Sequence, residues 1–145
     1  MSNYQFSKQD QEAIVNAIRD AEKDTSGEVR VHIDKKCPED VLDRAAYWFE
    51  KLKMHKTELR NGVLFYLATQ DKKFAIIGDA GINAKVPDGF WDDIKNQMAN
   101  HFKQGNLVDG LCQGIRESGI QLKTHFPYQS DDINELPDEI SFGKS

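Results

Sequence analysis

The segment from Asn61 to Asp88, NGVLFYLATQDKKFAIIGDAGINAKVPD, limits the folds open to this chain more than any other. Val63 to Ala68 is an unbroken apolar run, Lys73 to Gly78 is a second largely apolar stretch, and only a short polar loop separates them. Strands joined by so short a connection pair antiparallel, as a hairpin. The second strand runs directly into Gly78-Asp79-Ala80-Gly81, where glycines permit backbone angles that other residues resist and a carboxylate is delivered to the end of a buried strand. Any chemistry is expected to begin there.

Periodicity lays out the other elements around this hairpin. Ser7-Lys8-Gln9-Asp10 reads as a capping box that starts a helix at Lys8, with Ile14, Ala17, Ile18 and Ala21 as its apolar face and Asp24 to Gly27 as its end. Glu28 to Asp34 alternates strictly, so Val29, Val31 and Ile33 face the core. Arg30 and His32 then face water or a thin covering layer, and His32 is expected to be solvated. Pro38 suits the first position of a second helix reaching about Lys53, with Leu42, Ala45, Phe49 and Leu52 inward and Tyr47 and Trp48 on its flanks. Phe90 or Trp91, Ile94, Met98 and Phe102 mark a third helix ended by Gly105, with Trp91 expected in the core. A last helix, from about Leu107 to Thr124, presents Val108, Leu111, Ile115 and Leu122, and its Gly110, Gly114 and Gly119 thin the surface for close approach of another element.

Strand, helix and strand in this order form a right-handed crossover, so the strands at Glu28 and Val63 are parallel. The third returns antiparallel, bringing Asp79 to the sheet edge that also holds Glu28 and Asn61. The irregular loop from Ala80 to Gly89 keeps Asp88 near that edge.

At 145 residues and 39% hydrophobic content the chain is sized for one domain, assigned to residues 1–127. From Phe126 onward the sequence has two prolines, several acids and few apolar side chains, and residues 128–145 read as an acidic, mostly extended tail, either disordered or adding a short edge strand where Ile140 and Phe142 alternate with polar neighbours. A net charge of −5, with Lys and Arg scattered, argues against nucleic acid as a partner. There is neither a basic, then apolar leader nor a membrane-length apolar run, so a cytoplasmic, monomeric chain without membrane insertion is expected. Cys37 and Cys112 belong to no CxxC pair and are expected to be reduced thiols.

Taken together, Ser26-Gly27-Glu28-Val29-Arg30-Val31, Asn61-Gly62-Val63-Leu64, Ile77-Gly78-Asp79-Ala80-Gly81-Ile82 with Pro87-Asp88, and Phe102-Lys103-Gln104-Gly105 with Gly110-Leu111 resemble the TPM domain family over about residues 6–127. That family includes thylakoid lumen proteins of photosystem II repair and many bacterial proteins. The resemblance implies a three-layer α/β/α sandwich, which the elements above also suggest: a central mixed sheet of about four to five strands flanked by helices. It further implies a divalent-cation site in the Asp79 neighbourhood, and it brings the acid phosphatase activity attributed to plant members. Many members carry a signal peptide and a terminal membrane helix, which this sequence lacks, so it is similar to the soluble bacterial branch.

Glu28, Asn61, Asp79 and Asp88 offer carboxylate and amide oxygens, the ligand set of a hard cation, and an irregular loop favours Ca²⁺ over Mg²⁺. In the purely structural alternative Glu28 pairs with a base such as Arg60, Asn61 hydrogen-bonds a turn and Asp88 caps the following helix. Three functions follow: a non-catalytic cation-binding module serving protein assembly or maintenance, a metal-assisted acid phosphatase using Asp79 or Asp88, and a metal-free adaptor whose acidic tail binds an unknown protein. The phosphatase lacks DxDx[TV], Cx5R, P-loop and HxxxH motifs, and an acidic cluster with no arginine nearby handles phosphate poorly.

Overall fold

Parallel pairing of β1 (Glu28–Asp34) with β2 (Gly62–Ala68) sets the frame of the molecule, with Glu28 opposite Gly62 and Asp34 opposite Ala68. The structure, a computed structural model, describes residues 6–127 and 140–143. β3 (Lys73–Gly78) returns antiparallel to β2, with Gly78 opposite Val63, as the short loop and the right-handed crossover require. The sheet order is β3-β2-β1-β4, where β4 is Ser141–Phe142, parallel to β1. Of the predicted tail, residues 128–139, 144 and 145 lie outside the described residues. The rest of it supplies this fourth strand.

Three helices cover one face. α1 (Lys8–Glu22) opens on the expected capping box: Ser7 Oγ accepts from the Asp10 N–H, and the Asp10 carboxylate accepts from the Ser7 N–H. Its Ile14, Ala17, Ile18 and Ala21 are buried with Val29, Val31, Ile33, Phe65 and Leu67 of the sheet. α4 (Phe90–Lys103) and α5 (Leu107–His125) complete this layer. Each glycine of α5 admits a neighbour: a Cβ on Gly110 would stand 2.7 Å from His101, on Gly114 2.6 Å from Met98 and on Gly119 2.6 Å from the Ala21 backbone. Close helix contact is therefore the reason for three poor helix formers in one helix.

The opposite face is covered by α2 (Val41–Lys51), making the three-layer α/β/α sandwich expected from the sequence. Two details differ. α2 begins at Val41 rather than Pro38, because the Asp40 carboxylate caps the Leu42 and Asp43 N–H groups. That start fixes the inward stripe as Ala45 and Phe49 with Val41, Trp48 and Leu52 half-buried, and leaves Leu42, expected inside, 52% exposed.

His32 is the larger correction, being completely buried instead of solvated. β2 is buried along its whole length, so both faces of the sheet are covered, and the side chain of β1 beside Tyr66 is enclosed with it. Cys37 and Cys112 are buried free thiols.

Candidate functional site

The carboxyl end of β3 does meet the amino ends of β1 and β2. The Glu28 N–H reaches the Asn61 carbonyl at 3.4 Å, and the Asp79 N–H donates to the Gly62 carbonyl at 2.9 Å. Glu28, Asn61 and Asp79 are all buried at this edge. Asn61 Nδ2 lies 3.5 Å from Ser26 Oγ, tying the edge to the turn that precedes β1.

Asp79 is the best defined of the three. It caps the short helix α3 (Ala80–Asn83), its Oδ1 accepting from the Ala80 N–H at 2.7 Å. Arg60 grips the same carboxylate with two parallel bonds, Nε to Oδ2 at 2.7 Å and a terminal nitrogen to Oδ1 at 2.8 Å. Burial pushes the Asp79 carboxyl up, but the guanidinium and the Ala80 N–H outweigh it and hold the group below its ordinary range. The phosphate objection raised from sequence thus loses its premise, since an arginine does stand beside the acid. Arg60 itself has φ 52°, a left-handed conformation anchored where its carbonyl accepts from the Gly81 N–H at 2.8 Å. Its side chain is 51% exposed, so this countercharge sits on a carboxylate that is itself nearly enclosed.

Asp88 is exposed in the loop after α3. It lines an open depression of about 230 Å³ with Asn83, Val86, Pro87, Phe90, Trp91 and Asp92. That is smaller than the roughly 300–1,000 Å³ that encloses an organic ligand. The depression adjoins the strand edge: Asn83 Nδ2 donates to the Gly78 carbonyl at 2.7 Å, and the Trp91 indole N–H donates to Asn83 Oδ1 at 2.7 Å. Trp91, expected in the core, lines this depression while packing against the core with part of its ring. The N-cap of α4 is Gly89 with no side-chain cap bond, so Asp88 does not cap it. Among the described residues no group of three or more His, Cys, Asp or Glu side chains is arranged to hold a metal ion.

A second polar cluster went unforeseen in the sequence. Asp34, buried at the end of β1, accepts from His32 Nε2 at 3.0 Å, from the Tyr66 hydroxyl at 2.7 Å and from the Trp48 indole at 3.1 Å, while Arg44 Nε lies 3.5 Å away. Because a carboxylate only accepts, His32 carries its proton on Nε2. Nδ1 is then free to accept the Ser141 hydroxyl at 2.8 Å. The imidazole is stacked on the Trp48 ring with centroids 3.8 Å apart. Burial pushes the His32 pKa down, against the pull of Asp34, and Arg44 and Arg30 push the same way; burial and Asp34 together push the Tyr66 phenol up.

A histidine whose folded pKa is depressed adds stability above its unfolded value and loses it as pH falls. The expected result is a thermal midpoint that declines as pH drops below about 6.5, with a slope of at most about 1.4 kcal/mol per pH unit from this one group. Imidazole ¹⁵N shifts would check it directly: a His32 ring already charged at pH 6.5 in the folded protein would refute this reading.

Among the described residues no helix is long and apolar enough to cross a membrane. No curated protein matches the sequence. Among solved structures, the BA42 protein of the psychrophilic bacterium Bizionia argentinensis is 50% identical and superposes with a TM-score of 0.89, each chain covered to 99%. The N-terminal domain of a P. gingivalis protein gives a TM-score of 0.69 at 20% identity, covering 85% of this chain and 82% of its own. The N-terminal domain of the Corynebacterium glutamicum cg2496 protein gives 0.67 at 15% identity, covering 89% and 80%. The last two support the fold alone. The family model of the TPM domain matches residues 4–120, from the start of α1 through most of α5 and across the whole Arg60–Asp79 edge, and the chain belongs to the TPM-domain family.

Proposed function

We propose that the chain is a non-catalytic, divalent-cation-binding TPM module that serves the assembly or maintenance of a larger protein complex. The cation is Ca²⁺, or alternatively Mg²⁺, taken by Asp79 with Glu28 and Asn61 at the strand edge and Asp88 from the adjoining loop. The observation that carries this reading is the state of Asp79: a buried, ionised carboxylate whose countercharge is an arginine half in solvent. A positive charge is therefore already required at this edge, and a hard cation competes with Arg60 for it. Binding needs the guanidinium to swing outward, so the affinity is modest.

Chelator-treated protein heated with and without millimolar Ca²⁺ or Mg²⁺ provides the test. At one hundred times the dissociation constant a bound ion stabilises by roughly 2.7 kcal/mol, which raises the midpoint of a domain this size by about 5–10 °C. Asp79→Asn and Asp88→Asn are expected to abolish the rise, and Arg60→Gln to enlarge it by removing the competitor. An unchanged midpoint at every concentration would end the proposal.

One observation favours a second reading. The Arg60–Asp79 pair supplies the anion-binding group that a metal-assisted phosphomonoesterase needs beside its carboxylate. Both Asp79 oxygens are occupied, which makes it a weak nucleophile as it stands. Metal-dependent turnover of an artificial phosphate ester, lost in Asp79→Asn, would favour the enzyme over the binding module.

A further inference from the structure

β4 is only two residues long, yet each residue around it has its own reader. Ser141 gives its hydroxyl to the buried His32, and the Phe142 ring lies 6.5 Å from that of Phe6. Ile140 packs on the main core, and the Gly143 N–H donates to the Ile33 carbonyl at 2.9 Å. Gly143 passes so near Asp34 that a Cβ there would fall 1.7 Å from Oδ1. Such contacts select a hydroxyl at 141 and a glycine at 143, with the half-exposed Phe142 ring resting beside Phe6, which is how a sheet edge recognises an extended peptide: backbone bonds for affinity, side-chain sites for specificity. The family match ends at residue 120, before this segment begins. β4 therefore lies outside the matched elements, on the outer edge of β1.

We propose that the outer edge of β1 is a peptide-binding site of the strand-addition type, filled here by the chain's own Ile140–Gly143 acting as a tethered ligand. Its ligand class is an extended segment with the pattern apolar-Ser-Phe-Gly, and the same segment of a second copy is the ligand in trans. Ser141, His32 and Asp34 do stand in the order of a nucleophile, a base and an orienting acid. His32 is entirely buried beneath Trp48, however, so the hydroxyl–imidazole bond serves recognition. The site lies toward the carboxyl end of β1, whereas Glu28 begins the strand, so the cation proposal and this one stand or fall separately.

The experiment uses full-length protein and a fluorescein-labelled peptide of residues 138–145, DEISFGKS. In Gly143→Val the added side chain collides with Asp34, expels the tethered segment and opens the edge. A tether provides an effective concentration on the order of millimolar. Wild-type protein is accordingly expected to bind the peptide at least about tenfold more weakly than Gly143→Val, as read by fluorescence anisotropy. The same peptide carrying Gly143→Val should not bind, and ¹⁵N shifts on titration should include His32, Ile33 and the Trp48 indole. The double variant Ser141→Ala, Phe142→Ala, which adds no bulk, is a second opened protein should the valine prevent folding. Equal binding by wild type and the opened variants, or no binding by a folded opened variant, would overturn the proposal.

Discussion

Asp34→Ala is expected to cost about 3–5 kcal/mol of stability, the range for removing one partner from a buried charged network. Three donors, on His32, Tyr66 and Trp48, would lose their common acceptor, and His32 and Tyr66 are fully buried. Each buried donor left unsatisfied costs roughly 1–3 kcal/mol, and partial relaxation keeps the total below the sum. For a domain of this length the midpoint should fall by roughly 10–15 °C. Tyr66→Phe is the informative comparison, since Asp34 then keeps its other donors and the loss should be about 1 kcal/mol. If thermal unfolding gives the two variants equal losses, Asp34 is not the hub the geometry implies.

The second large effect is expected at Gly81. A Cβ there would lie 2.1 Å from the Leu59 carbonyl oxygen and 2.6 Å from that of Arg60. Both obstacles are backbone, so no side chain can rotate aside, and Gly81→Ala should cost about 3 kcal/mol, the upper end of the overpacking range. The control is Gly105→Ala, where φ is +81° and the space is open, and where left-handed strain alone costs roughly 1–2 kcal/mol. Because the Gly81 N–H also holds the Arg60 carbonyl, the alanine should shift the Arg60 Nε resonance as it disturbs the grip on Asp79. Equal losses at the two glycines would mean that the loop yields and that the close approach is not what requires a glycine at position 81.

These two positions differ in how far the sequence disclosed them. The Gly78-Asp79-Ala80-Gly81 turn was legible, because two apolar runs and a short loop permit only a hairpin, and a crossover fixes which edge the hairpin returns to. The partner of Asp79 was not, because Arg60 reaches it from a left-handed residue, a backbone state that periodicity cannot report. The Asp34 network was hidden by a different cause. Alternation in β1 placed His32 on the face opposite Val31, and a polar residue on that face looks solvated if the sheet has one wet side. The unbroken Val63–Ala68 run carried the contrary signal: a strand apolar at every position is covered on both faces, and so is the residue beside Tyr66. The exposure of Asp88 follows from the path of an irregular loop, which residue types alone do not set.

The contact of α5 with α1, close at Gly119, also governs when the protein can fold. Thr25 Oγ1, just past the end of α1, donates to the Leu122 carbonyl 97 residues further along, so the two ends of the domain stabilise each other. At synthesis rates of about 5–20 residues per second, roughly 5–20 s pass between the emergence of α1 and that of its partner. Through that interval Ile14 and Ile18 have only the strands of their core cluster to pack against, and α5, with three glycines, is too weak a helix to form ahead of the contact. The nascent chain is therefore committed to waiting, and its apolar first helix is the surface a ribosome-associated chaperone would be expected to hold.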